Sequence, residues 1–230
     1  RLNPPRFSYW LAKRVAHRMA RRRVSLFRTL RENIAQVVGP ETSAATLDAL
    51  AEEAIYHAGR TYVDMFRVTA DDYRRGRVAL RYDAAHWEQV RKALLDDASG
   101  TVVVGPHLSN FDLAAQWFVY QGVEMQALSL ANPDRGDRVI NWLREHRGII
   151  VTPIDTRALR LAVERLRRGG VVLTGVDRPV STDDALLPFF GRPAHMPTGH
   201  VRLALQTKSR IVVAGCVQEP DGVYAVRLAG

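Results

Sequence analysis

The sequence predicts an α/β fold, with a largely parallel central sheet flanked by helices and an N-terminal helical segment before it. From residue 101 onward, short apolar runs rich in β-branched residues alternate with stretches of helical period. Before residue 67, apolar residues recur mainly at helical spacing. The 230 residues, 47% of them hydrophobic, are enough for one sizeable α/β domain with a smaller helical appendage.

The N-terminal segment is predicted to be helical over residues 7–38, with a break near Arg22 and Arg23. Apolar residues recur every four positions at Leu11, Val15 and Met19, and again at Leu30, Ile34 and Val38. Gly39 and Pro40 end this helix. Thr42 or Ser43 caps the next helix, whose apolar stripe extends to Phe66.

The positive charge of the chain lies in this first segment. Residues 1–35 hold ten basic residues and one acidic residue, which accounts for the whole formal net charge of +9. A basic amphipathic helix with aromatic residues is typical of a segment that binds an anionic membrane surface. The plainer alternative is a solvated helix face. A nucleic-acid-binding module is a third hypothesis, but no nucleic-acid motif supports it, so we expect no nucleic-acid partner.

The remaining elements follow the alternation of strands and helices. Strands are expected at residues 78–82, 102–105, 125–130, 149–152, 171–176, 211–217 and 222–227, and helices at 85–97, 110–121, 137–147, 157–168 and 197–208. We therefore divide the chain into a helical, membrane-facing segment, residues 1–66, and an α/β core, residues 67–230.

Several features bound the class of protein. The single cysteine, Cys216, excludes an internal disulfide and favours a reducing compartment or the cytoplasmic face of a membrane. No apolar run approaches the roughly 18 residues that span a bilayer, and no signal peptide is visible. The chain begins with Arg1 and ends in a predicted strand, which suggests a fragment.

The first candidate site follows the strand that ends at residue 105. His107 precedes Asp112 by five residues, across a loop and a helix start that Asn110 could cap. The carboxylate could orient the imidazole so that its second nitrogen acts as a general base. With seven histidines, this spacing arises by chance about a third of the time. The alternative is therefore a loop histidine beside an ordinary helix start.

Two further loops after predicted strands or helices carry charged residues. Arg144 or Arg147 could bind a phosphate with two hydrogen bonds, although cations at a helix end are also stabilised by the helix dipole. Asp177 and Arg178, directly after a buried strand, could face a substrate or pair with each other.

Other chemistry is poorly supported by the sequence. His195 and His200 lack a clear third ligand, so we expect no metal site. Neither a nucleotide-binding glycine pattern nor the Gly-x-Ser-x-Gly motif of serine hydrolases is present.

Four blocks in order resemble the glycerolipid (lysophospholipid) acyltransferase superfamily. They are residues 107–112, with the His-x4-Asp pattern, Arg144 before Gly148, residues 176–178, and residues 187–205. The branch they resemble best contains the bacterial lipid A biosynthesis (lauroyl/myristoyl) acyltransferases and the phosphatidylinositol mannoside acyltransferases, to which residues 31–39 are also similar. The resemblance covers residues 28–217 and implies a glycerolipid acyltransferase-like fold.

The resemblance implies an O-acyltransferase. His107 would take the proton from an acceptor hydroxyl as that hydroxyl attacks an acyl thioester, and Asp112 would orient His107 and stabilise the imidazolium. Backbone N–H groups near Ser109 and Asn110 would stabilise the oxyanion.

The resemblance also assigns substrate contacts. Arg144 would hold a phosphate of donor or acceptor, and Asp177 would bind the acceptor's hydroxyls. An apolar tunnel for the acyl chain could be lined by aromatic residues, namely Trp117, Phe118 and Phe189. The lipid A enzymes usually have Asp-Gln where this chain has Asp177-Arg178, which favours a glycolipid or phospholipid acceptor.

The expected partners are an acyl thioester donor, a lipid acceptor and an anionic membrane surface bound by residues 1–35. The donor would be acyl-coenzyme A or acyl-carrier protein, used as a co-substrate, with no bound cofactor. The expected location is peripheral, on the cytoplasmic face of the plasma (inner) membrane. The alternative is a non-catalytic lipid-binding or membrane-binding protein on the same fold.

Overall fold

The computed structural model describes residues 4–78, 80–96, 99–178 and 185–229. The chain forms two compact units. One contains residues 1–69 and 188–192, and the other contains residues 70–187 and 193–230. The predicted division placed the boundary at residue 66 and assigned residues 188–192 to the core.

The helical unit is built from three long helices, α1 (Pro5–Arg21), α2 (Ser25–Val38) and α3 (Ala44–Arg67). The predicted break lies between α1 and α2, where Arg23 has a positive φ of 44°. Ser43 caps α3 as expected, because its hydroxyl accepts the backbone N–H of Thr46.

A small core holds the three helices together. Its fully buried members are Ala16, Phe27, Ala51 and Ile55. Ala12 of α1 lies so close to Gly59 of α3 that a Cβ at Gly59 would approach within 3.1 Å of the alanine Cβ. Tyr9 of α1 donates a hydrogen bond to Asp64 of α3. Burial, followed by that hydrogen bond and the charge of Asp64, raises the pKa of Tyr9 to about 12.

The α/β unit contains a seven-stranded sheet of order β1-β9-β8-β2-β5-β3-β4. Its strands are β1 (Leu80–Arg81), β2 (Thr101–Gly105), β3 (Met125–Ser129), β4 (Ile150–Pro153), β5 (Val171–Gly175), β8 (Arg210–Gln218) and β9 (Tyr224–Ala229). Every neighbouring pair is parallel except β8 with β9. The predicted fold class, a largely parallel sheet flanked by helices, is confirmed.

The helices of this unit are α4 (Ala70–Arg74), α5 (Ala84–Asp96), α6 (Phe111–Tyr120), α7 (Arg135–His146), α8 (Thr156–Arg167) and α9 (Gly199–Thr207). On one face of the sheet, a core cluster joins Val102 and Val104 of β2 and Val172 of β5 to α8 and α9. The opposite face lies under α6, whose residues 112–118 are all buried. The sequence did not predict the short helix α4.

The remaining strands, β6 (Ala185–Phe189) and β7 (Arg192–Met196), form a separate two-stranded hairpin. Its tip, residues 188–192, groups with the helical unit. The sequence analysis compared this stretch with an acyltransferase block but did not predict a hairpin. Among the residues that the structure describes, no helix combines the length and hydropathy needed to cross a bilayer.

Candidate active site

The candidate site lies where two neighbouring parallel strands end. Gly105, the last residue of β2, is paired in register with Gly175, the last residue of β5. Because the carboxyl ends of parallel strands meet at one edge of the sheet, the loops that follow them are brought together. His107 follows β2 by two residues and Asp177 follows β5 by two residues, although 70 residues separate them in the chain.

Asp177 holds His107 by two hydrogen bonds. The imidazole Nδ1 lies 2.6 Å from Oδ1 of Asp177, and the backbone N–H of His107 donates to Oδ2 over 3.0 Å. One carboxylate thus fixes both the backbone and the ring of the histidine. With Nδ1 engaged, Nε2 is the nitrogen left for proton transfer.

This geometry corrects the predicted pairing. From the sequence, Asp112 was expected to orient His107, and Asp177 was expected to bind the acceptor's hydroxyls. In the structure, Asp177 is the carboxylate on the imidazole, because the parallel register of β2 and β5 brings it there. The five-residue spacing of His107 and Asp112 does not produce the hydrogen bond that it suggested.

The ring of His107 lies against Gly175. A Cβ added to Gly175 would sit 2.6 Å from Cε1 of His107, which is too close for any side chain. The strand therefore ends in a residue without a side chain at the point where the imidazole packs. Phe111 contacts the ring from another side, edge to face, with 4.8 Å between the ring centroids.

The charge state of Asp177 follows from these contacts. Burial acts to raise its pKa, but the hydrogen bonds from the side chain and backbone of His107 outweigh burial and hold the pKa below its usual range. Asp177 is consequently an ionised partner that can stabilise a protonated imidazole.

Asp112 has a different partner, Arg144 of α7. Nε of Arg144 donates to one carboxylate oxygen over 2.6 Å, and Nη2 donates to the other over 3.1 Å. Nη1 of Arg144 donates to Asn141 over 3.1 Å. The side chains of Asp112 and Arg144 are only 10% and 18% exposed, respectively. The two-point bond therefore ties the first turn of α6 to the last turn of α7.

A cavity of about 80 Å³ adjoins the histidine. Its polar lining includes His107, Asp112 and Arg144. Its remaining walls are small or apolar, with Ala114, Ala115 and Phe118 on α6 and Ala127, Leu173 and Ala214 on the sheet. The cavity therefore places a general-base candidate and a cation beside a chiefly apolar space.

The three aromatic residues expected at a tunnel have different surroundings. Phe118 does line the cavity. Trp117 instead packs with Tyr82 and Trp87, at centroid distances of 4.6 and 4.4 Å. Phe189 belongs to the hairpin tip described above.

The loop between His107 and α6 carries the two expected oxyanion donors. Ser109 has a positive φ of 51°. Asn110 stands at the N-cap position, but its side chain makes no capping bond and is fully buried. Burial raises the pKa of Cys216 to about 11, with partial compensation by a hydrogen bond from the backbone of Asn110. The backbone N–H of Asn110, one of the two expected oxyanion donors, is thus directed to the Cys216 sulfur.

Two arginines that were expected to contact substrate, Arg178 and Arg147, have different surroundings. Arg178 is exposed, while the carboxylate of its neighbour Asp177 is turned to His107 rather than into an Asp–Arg pair, which was one of the two alternatives for these residues. Arg147, the alternative phosphate ligand, is buried and donates to Gln116 of α6. Tyr73 donates to the same amide oxygen over 3.2 Å. Arg147 therefore belongs to a buried polar network, which its local sequence did not reveal.

No group of three or more potential metal ligands is found among the described residues. His200 is half-buried, and burial lowers its pKa.

Comparison of the sequence with known proteins identifies its family. Residues 1–229 match the sequence model of the family described as bacterial lipid A biosynthesis acyltransferase. The phosphatidylinositol mannoside acyltransferase of Mycolicibacterium smegmatis is 28% identical over 197 residues, which cover 84% of this chain and 64% of that protein. The protein of the same name from Mycobacterium tuberculosis is 28% identical over 198 residues, covering 84% of this chain and 62% of that protein.

The chain thus spans a little less than two thirds of the length of these curated relatives. The resemblance inferred from the four sequence blocks is confirmed. The chain belongs to the bacterial lipid A biosynthesis acyltransferase family.

Proposed function

We propose that this chain transfers a fatty acyl group from a thioester donor to a hydroxyl of a glycolipid or phospholipid, with His107 as the general base. The observation that carries the proposal is the pair of hydrogen bonds that the Asp177 carboxylate accepts from the backbone and ring of His107, beside a chiefly apolar cavity. Membership of the family supports the same reaction class.

The reaction is a direct displacement. The acceptor hydroxyl gives its proton to Nε2 of His107 as its oxygen bonds to the thioester carbonyl carbon. The carbon–sulfur bond then breaks, and the imidazolium returns the proton to the leaving thiolate. No acyl-enzyme is formed, and this transfer of acyl group and proton requires no oxidant, reductant or metal.

Asp177 takes the role that the sequence analysis gave to Asp112. Its negative charge stabilises the imidazolium, and its bond to Nδ1 keeps Nε2 available as the base. General-base catalysis of this kind contributes a rate factor of about 10²–10⁴.

Arg144 lies at the cavity wall as the ion-pair partner of Asp112. Asp112 uses Nε and Nη2 of the guanidinium and Asn141 uses Nη1, so Arg144 is held in one orientation at the cavity wall. A phosphate of the donor or the acceptor is the anion it would attract. The backbone N–H of Ser109 is the remaining oxyanion donor that we assign.

The first carbons of the acyl chain would occupy the cavity between α6 and the sheet. The cavity is open because the residues on both of its walls include alanines, and Phe118 and Leu173 contribute apolar surface. The donor would be acyl-coenzyme A or acyl-carrier protein, and Arg178, exposed next to Asp177, could contact the polar part of either substrate.

The acceptor class is proposed from the relatives. Two of them are named for the acylation of phosphatidylinositol mannoside, and the family is described by lipid A biosynthesis. Both names denote acyl transfer in the making of a glycolipid. We therefore assign a glycolipid acceptor before a simple phospholipid.

The helical unit would bind the membrane in which such an acceptor lies. One face of α1 exposes four apolar side chains, Phe7, Trp10, Leu11 and Val15. Arg14 stacks over Trp10 at 5.5 Å, which places a cation next to the apolar face. Apolar and basic groups together favour an anionic surface. The proposed location is the cytoplasmic face of the inner membrane, where acyl thioesters are made.

The test is acyl transfer by a His107→Ala variant. We expect a loss of kcat of at least about 10²-fold, with an unchanged far-ultraviolet circular dichroism spectrum. The assay follows a radiolabelled acyl group from its thioester to an extracted glycolipid acceptor.

The matched control is His57→Ala, which removes an exposed histidine from the surface of α3 and should leave kcat unchanged. Near-normal transfer by His107→Ala would refute the proposal. If the wild-type chain binds liposomes but turns over none of the tested donors, the non-catalytic alternative is favoured.

A further inference from the structure

The tip of the hairpin formed by β6 and β7 has a residue type that is unusual for its backbone conformation. Phe190 and Gly191 both have positive φ, at 46° and 75°. This combination is typical of a two-residue type I′ turn, in which the first position is normally Asn, Asp or Gly. A phenylalanine there strains the backbone, because its Cβ crowds the carbonyl oxygen.

The side chains at the tip are also placed unfavourably for water. Phe189 and Phe190 are each 51% exposed, and they pack on each other edge to face with 4.7 Å between their centroids. The sequence therefore combines backbone strain with two exposed aromatic rings. An asparagine at residue 190 would relieve the strain and remove one of the two rings.

The tip is held on the helical unit. The side-chain amide of Gln36, in the last turn of α2, donates to the carbonyl oxygen of Phe190 over 2.8 Å. The next two residues of α2, Val37 and Val38, are 52% and 43% exposed. Gln36 thus joins two exposed apolar segments that lie 154 residues apart in the chain.

The charge of this unit indicates what covers the apolar groups. The residues of the unit include 13 basic and 6 acidic side chains. Arg192 lies two residues after Phe190 and is exposed. Aromatic rings with surrounding cations suit the interface of an anionic bilayer, where the rings enter the headgroup region and the cations meet phosphates.

We propose that the Phe189–Phe190 hairpin tip inserts into an anionic lipid surface, as a second membrane contact separate from the α1 face. This inference rests on the membrane location proposed above, but on different residues. The strain at Phe190 is then offset by the transfer of its ring out of water.

The decisive variant is Phe190→Asn, which puts a favoured residue into the turn. We expect an equal or higher Tm, together with about a tenfold or greater loss of binding to vesicles that contain phosphatidylglycerol. Sedimentation with sucrose-loaded vesicles measures the binding. Leu205→Asn is the matched control, because it removes an exposed leucine from α9, and its vesicle binding should match that of the wild type.

Phe189→Thr provides a second variant in case Phe190→Asn folds poorly. Threonine suits a strand, so the hairpin should form while the apolar ring is lost. Trp10→Asn should weaken binding independently, so the fold losses of Trp10→Asn and Phe190→Asn should multiply in the double variant.

A site-specific label gives a direct readout. Cys216 is buried, so a cysteine introduced by Phe190→Cys can be labelled selectively with an environment-sensitive fluorophore. We expect a blue shift of its emission with phosphatidylglycerol vesicles and little shift with phosphatidylcholine alone. The same label introduced by Leu205→Cys should not respond.

Two results would overturn the inference. One is vesicle binding by Phe190→Asn equal to that of the wild type. The other is a change of oligomeric state in Phe190→Asn without a change in vesicle binding, which would assign the tip to a second copy of this chain. Transfer to a detergent-dispersed acceptor separates the two proposals, because Phe190→Asn should retain it while His107→Ala should lose it.

Discussion

Asp112 and Asp177 occupy contrasting positions around the same histidine. Asp112 is five residues from His107 in the chain, and Asp177 is 70 residues away. Yet Asp177 binds the imidazole, and Asp112 binds a guanidinium on α7. The difference teaches that strand register, rather than local spacing, assigns the partner of His107.

The cause lies in the element on which each carboxylate stands. Asp177 follows a strand paired directly with the strand before His107, so both loops leave the sheet at one place. Asp112 is already in the first turn of α6, where its side chain is turned to α7 and is 7% exposed as a residue. We infer one carboxylate for catalysis and another for the positioning of a cation.

The largest effect expected from this comparison is in Asp177→Asn. An amide cannot stabilise the imidazolium as a carboxylate does, so kcat should fall by about 10²–10⁴-fold while KM changes little. Steady-state kinetics at neutral pH measures both constants. Asp221→Asn removes an exposed carboxylate that pairs with Arg81 and serves as the control.

A fall in kcat for Asp112→Asn that exceeds the fall for Asp177→Asn would reverse the roles assigned here. Equal and large losses would instead indicate that the two carboxylates act together on His107.

The second prediction concerns stability and the partner of Asp112. Asp112→Ala leaves Arg144 without its partner in a mostly buried place, so the free energy of unfolding should fall by about 3 kcal/mol. For a chain of this size, that corresponds to a decrease in Tm of about 6–12 °C. Calorimetry measures the change.

A double-mutant cycle then identifies the partner. Removing Arg144 together with Asp112 should restore part of the loss, which gives a coupling energy of about 0.5–3 kcal/mol. The cycle of Asp112 with His107 should give a smaller coupling. The opposite order of the two couplings would contradict the ion pair as the function of Asp112.

The smallest effect is the dependence of stability on pH at Asp177. Its folded pKa is lowered, so its contribution is fully present above the unfolded value of about 3.9 and is lost as pH falls through the folded pKa. Because the side chain is 36% exposed, the contribution should be below about 1 kcal/mol.

The measurement is Tm for the wild type and Asp177→Asn at pH 6 and at successive values below 4. The difference between the two proteins should shrink as the pH decreases in the acidic range. A difference that stays constant or grows below pH 4 would show that another group dominates.

The sequence was sufficient for the elements whose pattern is local. The short β-branched runs became strands, and Gly39 and Ser43 marked the ends of helices as expected. The loop of His107 was also correctly placed after a strand. These features depend on residues a few positions apart, so their patterns could be recognised without the fold.

The parts that failed depend on distant residues. The hydrogen bond between His107 and Asp177 requires the pairing of β2 with β5, and no local spacing encodes that pairing. Likewise, Gln36 reaches the carbonyl of Phe190 across 154 residues. The Phe190-Gly191 turn lacks the asparagine that would have predicted a hairpin. The same unfavourable phenylalanine is the feature from which we infer that the hairpin tip binds lipid.

The sheet order has a consequence for synthesis of the protein on the ribosome. β2, which leads to His107, lies between β5 and β8, and both of these are translated later. The nascent chain therefore cannot enclose β2 until Arg210–Gln218 has emerged, and such non-local pairing is slow. Until then, at least one edge of this apolar strand stays unpaired, which gives chaperones that shield such strands a defined interval in which to act.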